Sequence, residues 1–224
     1  MAGRVAYYGG IVRNGLVLNL DAAKRDSYPK TGTVWTDLSG NGNNGTLNGP
    51  GGSGYPSYNS ANGGSIAFDG TDDYVNILSN SSLNQPKTLS VWYYTTISSQ
   101  VGHLLSRSSN NYEMYQYSDG KIYTNWGFTY QTTVLPTVTL NQWNNFTYVL
   151  SGNTEFVYKN GTLLGSSNLV GTPSYTNTGN LNVGRRNTGV QYINGRISNT
   201  LIYNRALSST EVLQNYNALK NRYI

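Results

Sequence analysis

Short runs typical of strands recur along this 224-residue chain, and one of them alternates well between apolar and polar residues. Alternation with a period of two is typical of β-strands that bury one face. The clearest run is Thr88–Tyr94, and further runs occur at 16–20, 65–68, 74–77, 103–106, 112–117, 121–126, 142–150, 155–158, 162–164, 181–184 and 195–203. Turn-forming residues separate the runs, and Asn160-Gly161 predicts a tight type I′ hairpin. The pattern predicts an all-β sandwich or jelly roll of antiparallel strands.

One segment near the C-terminus has a helical pattern instead. Ser208-Ser209-Thr210-Glu211 is a capping box, with Ser208 as the N-cap and Glu211 three residues later. Leu207 precedes the cap and can pack on Val212, as a hydrophobic staple does. Helical spacing continues through an apolar set, which is Val212, Tyr216 and Leu219. These signals predict one short C-terminal helix that packs on the sheets.

The chain is predicted to form one domain. Residues 1–15 form an N-terminal arm in this interpretation, and residues 16–224 form the jelly roll. The stretch 48–64 is rich in Gly, Pro and Ser and is the best candidate for a linker. Because too few residues precede it to build a separate domain, we predict a long loop there instead.

A glycine-rich stretch contains a literal G-x-G-x-x-G at Gly40, Gly42 and Gly45. A dinucleotide site needs a buried strand before the first glycine and a helix that starts at the third. The preceding segment is short and polar, and the following one contains too much Gly and Pro for a helix. The motif therefore predicts a surface loop and no bound nucleotide.

Composition narrows the classes of partner. Only 11% of residues are charged, and 20 tyrosines stand against 4 phenylalanines. The net charge of +5 is spread without basic runs, so we expect no nucleic-acid partner. The absence of cysteine excludes disulfides and thiolate metal sites. No apolar stretch has the length of a membrane span or the pattern of a signal peptide, so we expect no membrane insertion.

The sequence offers little catalytic chemistry. The single histidine, His103, would have to serve any Ser-His-Asp triad, but no nucleophile motif lies near it, and a strand-edge position without a role is favoured. Glycosidases need two placed carboxylates, and the candidates Glu113 and Glu155 lie on predicted strands far apart in sequence. We therefore expect a protein that is not an enzyme.

Asp72 and Asp73 are candidates for a calcium site. On a strand these adjacent side chains would point to opposite faces, but in a loop they could share an ion with backbone carbonyls. The alternative is that both aspartates simply favour a turn. Calcium is the only cofactor for which the chain offers candidates, and none is established by these residues.

Aromatic residues cluster around one predicted hairpin. Five of them are candidates for carbohydrate binding: Tyr115, Tyr117, Tyr123, Trp126 and Tyr130. Exposed rings beside Asn and Gln can stack on sugars and hydrogen-bond their hydroxyls. The alternative is that about half of these rings belong to the core or to a subunit interface.

Several stretches together resemble one family. They include "DLSGNGNNG" and "FDGTDDYV", and they cover residues 15–23, 27–29, 35–45, 68–75, 89–92, 158–161, 195–197 and 203–212. The chain resembles the laminin-G-like, concanavalin A-like lectin/glucanase superfamily, in the form common in virion proteins of tailed phages. The resemblance implies a jelly roll of two antiparallel sheets, one of them curved, with the glycine-rich stretch as a loop.

This fold carries lectins, hydrolases and purely structural modules, so function needs a separate argument. The Glu-x-Asp-x-Glu strand of the glucanase branch is absent here, which argues against that activity. The first hypothesis is a non-enzymatic phage structural or decoration protein, made in the host cytoplasm and located on the virion surface of capsid or tail. Its expected partners are other virion proteins, further copies of itself and a host glycan. The alternatives are a free-standing lectin and, last, a glycoside hydrolase.

Overall fold

The computed structural model describes residues 10–49, 54–107, 111–127, 133–171 and 179–223. Within them, antiparallel strands form two sheets packed face to face, and one α-helix lies near the C-terminus. The predicted all-β jelly roll of two antiparallel sheets with a single short C-terminal helix is confirmed.

The strands in chain order are β1 Leu16–Asp21, β2 Val34–Trp35, β3 Gly45–Asn48, β4 Ser57–Asn59, β5 Ser65–Asp69, β6 Tyr74–Ile77, β7 Thr88–Tyr94, β8 Gly102–Arg107, β9 Tyr112–Gln116, β10 Ile122–Asn125, β11 Trp143–Ser151, β12 Thr154–Lys159, β13 Thr162–Asn168, β14 Leu181–Val183 and β15 Asn194–Tyr203. The helix, α1, is Ser209–Leu219, and a 3₁₀ turn, Lys220–Arg222, follows it. Strand β4 lies inside the stretch 48–64, which the sequence predicted to be a long loop, and β2 and β3 begin before it, where the sequence predicted no strand.

An eight-stranded sheet has the order β13-β12-β11-β7-β15-β5-β4, and β1 pairs with the C-terminal part of β15. A seven-stranded sheet has the order β10-β9-β8-β14-β6-β3-β2. Non-sequential neighbours such as β7 and β15 show that the chain crosses between sheets, as a jelly roll requires.

The main core lies between the sheets and follows the alternation in the sequence. On β7, the side chains of Leu89, Val91 and Tyr93 are fully buried in this core. Burial of each such large apolar side chain stabilises the fold by about 1.5–3 kcal/mol. The intervening residues Trp92 and Tyr94 lie on the other face of the strand, which is the outer face of the eight-stranded sheet.

Helix α1 covers part of that outer face. Its capping box is present, with the Ser208 hydroxyl accepting from the Glu211 N–H and the Glu211 carboxylate accepting from the Ser208 N–H. Leu207 and Val212 share a second apolar cluster with Leu201 of β15, so the helix is fixed to the sheet at its start. The predicted cap and staple are confirmed.

The start of the described chain packs on the same face. Val12 is buried in the cluster under α1, its N–H donates to Asn215 Oδ1 at 2.8 Å, and Tyr203 donates its hydroxyl to the Val12 carbonyl at 2.9 Å. The prediction of a separate arm over residues 1–15 is therefore wrong for residues 11–15, because they pack on the sheet as part of the domain. Residues 1–9 lie outside the described residues.

The glycine-rich motif lies in a loop between β2 and β3. Gly40 and Gly42 have φ angles of +90° and +71°, which favour glycine. The Asp37 carboxylate accepts from the N–H groups of Asn19 and Asn43 at 2.8 and 3.0 Å and so holds the loop against β1. Gly45 begins a strand rather than a helix, which agrees with the predicted loop.

Candidate functional site

A groove runs along the outer face of the eight-stranded sheet beside α1, with a volume of about 430 Å³. Five of its lining residues are aromatic: Trp92, Tyr94, Trp143, Tyr216 and Tyr223. The other four carry side-chain amides: Asn62, Asn141, Gln142 and Asn160. We name this feature the aromatic groove.

Four separate parts of the chain supply these rings. Strand β7 contributes Trp92 and Tyr94 because its outward positions alternate with buried Val91 and Tyr93. Trp143 begins β11 and pairs with Tyr94 in the sheet register. Helix α1 adds Tyr216, and the segment that follows the helix adds Tyr223. The groove is therefore a product of the tertiary fold, because no local segment contains it.

The rings pack on one another and are held rigidly. Trp92 lies 4.2 Å from Tyr223 and 5.5 Å from Tyr216, measured between ring centroids, and Trp143 lies 4.9 Å from Tyr223. Trp92 and Trp143 are only 2% and 8% exposed, and their indole N–H groups donate to no residue that the structure describes. A rigid aromatic wall loses little side-chain entropy when a ligand binds.

A hairpin turn forms one edge of the groove. Asn160 and Gly161 join β12 to β13 with φ angles of +52° and +74°. Positive φ at both central positions is the signature of the predicted type I′ turn. The Asn145 N–H donates to Asn160 Oδ1 at 2.8 Å, and a Cβ at Gly161 would lie 2.9 Å from the Tyr216 ring. Glycine therefore allows the turn to approach α1 closely.

Neutral aromatic groups line the groove, and two cations pack on these rings without lining it. Burial raises the pKa of Tyr223 to about 12, so this phenol keeps its proton, which it donates to Ser198 Oγ at 2.8 Å. The Arg196 guanidinium carbon lies 3.9 Å from the Tyr94 ring centroid, and Lys220 Nζ lies 5.6 Å from that of Tyr216. Among the described residues, no acidic side chain lines the groove.

The structure brings together three of the five aromatic residues that the sequence proposed for sugar binding. On the outer face of the seven-stranded sheet, Tyr115 stacks between His103 at 4.9 Å and Tyr123 at 5.5 Å, and Tyr117 meets Tyr123 edge-on at 5.6 Å. We name these four residues the tyrosine ladder. Both faces of Tyr115 are covered, whereas Tyr117 is 46% exposed. Tyr117 and Tyr123 therefore remain the accessible candidates of this ladder.

The other two proposed residues do not join the ladder. Trp126 is buried in the core, and its indole N–H donates to the Glu155 carboxylate at 2.6 Å. The prediction is therefore wrong for Trp126, because a ring packed between the sheets cannot stack on a sugar. Tyr130 lies outside the residues that the structure describes.

The two glutamates on strands lie apart from the aromatic groove. Glu113 is buried on the outer side of β9 and accepts from Ser106 Oγ at 3.0 Å and from Arg186 Nε at 3.4 Å. Burial by itself raises the pKa of Glu113, but the neighbouring His103, Ser106 and Arg186 outweigh it and hold the pKa below its ordinary value. Glu155 is buried on the inner face of β12. His103 lies near the start of β8, opposite Tyr115 of β9 and beyond the residues of β8 that pair with β14.

The carboxylates of Asp72 and Asp73 do approach each other, and Asp69 joins them. One oxygen from each lies within 4.8 Å of the others. Burial, followed by the charge of Asp69, raises the pKa of Asp73 to about 6. Carboxylate oxygens suit calcium, but Asp73 Oδ2 already accepts from the Asp69 N–H at 3.1 Å. Calcium at this cluster stays a prediction, with Asp69 as a third ligand that the sequence analysis missed.

The aromatic groove itself was also missed. A signal was present in Thr88–Tyr94, where large apolar or aromatic residues occupy both faces of one strand. Such a strand must be covered on both sides or bind something on its outer side. Tyr216 was assigned to the packing face of the helix, and the structure adds that its ring also lines the groove.

A family model described as the concanavalin A-like lectin/glucanases superfamily matches residues 69–213, which is more than half of the chain. No curated protein matches the chain by sequence. Among the described residues, no helix has both the length and the apolar character needed to cross a membrane.

Solved structures with the same fold include domain 4 of AbnA, a GH43 extracellular arabinanase from Geobacillus stearothermophilus, in complex with arabinotriose. That likeness has a TM-score of 0.70 at 16% identity and covers 90% of this chain and 98% of that domain. The receptor binding domain of botulinum neurotoxin C/D mosaic serotype has a TM-score of 0.72 at 13% identity, with 92% of this chain and 52% of that one covered.

Trypanosoma rangeli sialidase, in complex with 2,3-difluorosialic acid, has a TM-score of 0.68 at 15% identity, with 99% of this chain and 36% of the sialidase covered. The chain thus spans about half of the toxin chain and about a third of the sialidase chain. At these identities the likenesses show a common fold alone.

Proposed function

Because this chain belongs to the concanavalin A-like lectin/glucanases superfamily, we propose that it is a carbohydrate-binding protein and that the aromatic groove is its binding site. One observation carries the proposal, which is the convergence of five aromatic rings and four side-chain amides in a single groove. Sugars present C–H faces that pack on rings and hydroxyls that pair with amides, so this lining matches their chemistry.

The aromatic groove is favoured over the tyrosine ladder for a geometric reason. The groove is concave, and rings from four parts of the chain line it. Rings pack on one another in both places, but the groove also has a cavity of about 430 Å³ that four side-chain amides line together with the rings. The exposed end of the ladder, formed by Tyr117 and Tyr123, is the second candidate for the same function.

We propose that binding occurs without catalysis. Glycoside hydrolysis needs two carboxyl groups on either side of the scissile bond. Glu113 and Glu155 are buried on different sheets, and neither lines the aromatic groove. The solved arabinanase domain with arabinotriose supplies a precedent for this fold beside a sugar, and nothing more specific is carried over from it.

The setting that we propose is the surface of a phage particle, as an oligomeric structural or decoration protein that presents the groove to the host. The sequence resemblance supports this setting. Strand β13 also supports it, because it ends the eight-stranded sheet among the described strands and exposes Leu163 and Leu164 at 48% and 47%. An edge strand with exposed apolar side chains is suited to pairing with another subunit.

The test is a direct binding measurement. The purified protein is screened on a glycan array, and hits and arabinotriose are titrated by calorimetry. We expect Trp143→Ala and Tyr94→Ala each to weaken binding at least about tenfold, which corresponds to roughly 1.4 kcal/mol of lost stacking. Circular dichroism confirms that each variant is folded.

Tyr123→Ala is the matched control, because it removes a tyrosine from the ladder and leaves the groove intact. Loss of binding in Tyr123→Ala alone would move the site to the ladder. The absence of any saccharide hit, with and without calcium, would reject the proposed function.

A further inference from the structure

The aromatic groove continues into a second cavity. This cavity has a volume of about 180 Å³, and its lining includes Thr95, Asn194 and Arg196. Tyr94 lines both cavities, so the two adjoin at this residue. A ligand longer than one sugar ring could occupy both by passing over this tyrosine.

The junction is a row of side chains across three neighbouring strands. Tyr94 on β7 pairs with Trp143 on β11 and with Arg196 on β15. The Arg196 guanidinium carbon lies 3.9 Å from the Tyr94 ring centroid and 5.8 Å from that of Trp143. Contact with the aromatic face limits the motion of the guanidinium and so prepares it for a ligand.

Arg196 differs from three other arginines in this molecule. Arg186, Arg205 and Arg222 each form an ion pair with a carboxylate. Within the described residues, Arg196 forms none, and no acidic side chain lines either cavity. Asp69 lies on the neighbouring strand β5, but its carboxylate groups with those of Asp72 and Asp73.

We infer that the joined cavities bind an acidic oligosaccharide, with a sugar ring against Trp143 and Tyr94 and a carboxylate on Arg196. This inference rests on the proposed function and names its ligand class. A planar guanidinium pairs with a carboxylate through two parallel, charge-assisted hydrogen bonds, and a neutral sugar has no negative charge to strengthen such a pair. A partly buried cation that forms no ion pair with any described residue also favours an anionic ligand over a neutral one.

The experiment compares ligands that differ only in charge. An α-1,4-linked galacturonic acid oligomer and its methyl ester share one skeleton, and 3′-sialyllactose and lactose form a second acidic and neutral pair. Each is titrated against the full-length protein by calorimetry. We expect at least one acidic member to bind at least tenfold more tightly than its neutral counterpart, and the preferred pair identifies the kind of acidic sugar.

Three variants test whether Arg196 causes the preference for the acidic ligand. Arg196→Gln should abolish the difference between acid and neutral ligand while weak binding of the neutral sugar persists. Arg196→Lys keeps the charge without the planar fork and should retain part of the preference. Arg185→Gln is the matched control, because Arg185 also packs on a tyrosine, at 3.4 Å from the Tyr74 ring centroid, and should keep the full preference.

Several results would overturn the inference. They are equal affinity of the wild type for both members of each pair, a preference that survives Arg196→Gln, or a preference that is also lost in Arg185→Gln. Equal binding of both members would leave the proposed function standing. Failure of every saccharide to bind would reject both. If Arg196→Gln does not fold, the other two variants decide. A weaker preference for the acidic ligand in Arg196→Lys than in Arg185→Gln supports the inference, and equal preferences in these two variants overturn it.

Discussion

Individual tryptophans in this molecule have two distinct roles. Trp126 lies between the sheets, where its N–H donates to the buried Glu155 carboxylate. Trp92 and Trp143 lie on the outer face of the other sheet, where rings from α1 and the chain end pack on them. The same residue type therefore stabilises the core in one place and lines a groove in another, because the two faces of a sandwich meet different neighbours.

At the same scale, the raised pKa of Asp73 implies that the stability of the fold depends on pH. Its folded-state pKa of about 6 lies above the ordinary value of 3.8, so the folded chain binds the proton more tightly than the unfolded chain. The contribution of Asp73 to the free energy of unfolding is therefore fully present below about pH 4 and is lost as the pH rises through 6. We expect the unfolding free energy of Asp73→Asn, measured by urea denaturation, to change less with pH over this range than that of the wild type.

The same group allows a test of the predicted calcium site. Three carboxylates so close together disfavour one another's negative charge, and a bound Ca²⁺ would relieve that repulsion. We expect millimolar calcium to raise the Tm of the wild type and not that of Asp73→Asn, with magnesium as the control ion. No calcium-dependent shift in the wild type would contradict the site.

At the scale of elements, the β12–β13 hairpin and α1 depend on each other. The turn approaches the helix so closely that Gly161 lies directly under the Tyr216 ring. The helix start is fixed independently, because Arg205 donates to the Glu211 carboxylate of the capping box and lowers its pKa to about 2. A strand turn and a helix thus form two sides of the groove between them.

Gly161→Ala tests this dependence. An alanine at this position would be strained by the φ of +74°, and its Cβ would lie 2.9 Å from the Tyr216 ring. We therefore expect the unfolding free energy to fall by about 1–3 kcal/mol. Because Tyr216 lines the groove, we expect the affinity for sugar to fall as well. Gly152→Ala separates the two effects, because Gly152 has a φ of +58° and no atom within 4 Å of an added Cβ. Equal losses of stability and of affinity in both variants would show that contact with Tyr216 is unimportant.

At the scale of the whole molecule, the eight-stranded sheet is covered unevenly. Helix α1 and residues 11–15 protect part of its outer face, whereas Leu163 and Leu164 of β13 remain exposed. The exposed edge is the surface through which we expect copies of the chain, or other particle proteins, to meet.

Mass photometry of the purified chain tests that expectation. We expect a defined oligomer that Leu164→Lys dissociates, because a charge on the apolar edge opposes desolvation. Val190→Lys is the control, since Val190 is 50% exposed and lies outside β13. A wild-type monomer at micromolar concentration, or identical masses for all three proteins, would contradict the proposal that β13 forms the contact between subunits.

Much of the fold could be predicted because its signals are local. The run at β7 and the capping box at Ser208 both matched the structure. The short strands β2, β3 and β4 could not be predicted, since elements of two to four residues have no measurable period and exist only through pairing with distant partners. The aromatic groove could not be predicted for a similar reason, because its rings come from segments far apart in the chain.

The sequence by itself determined the class of fold, the single helix and the loop character of the glycine-rich motif, because alternation, caps and turn residues act over a few positions. The tertiary structure alone decided that Trp126 is internal, that Trp143 meets Tyr94 and Tyr223, and that Arg196 lies over Tyr94. A local pattern shows that a strand has two faces. Only the packing of sheets, helix and turns decides which face becomes core and which becomes a site.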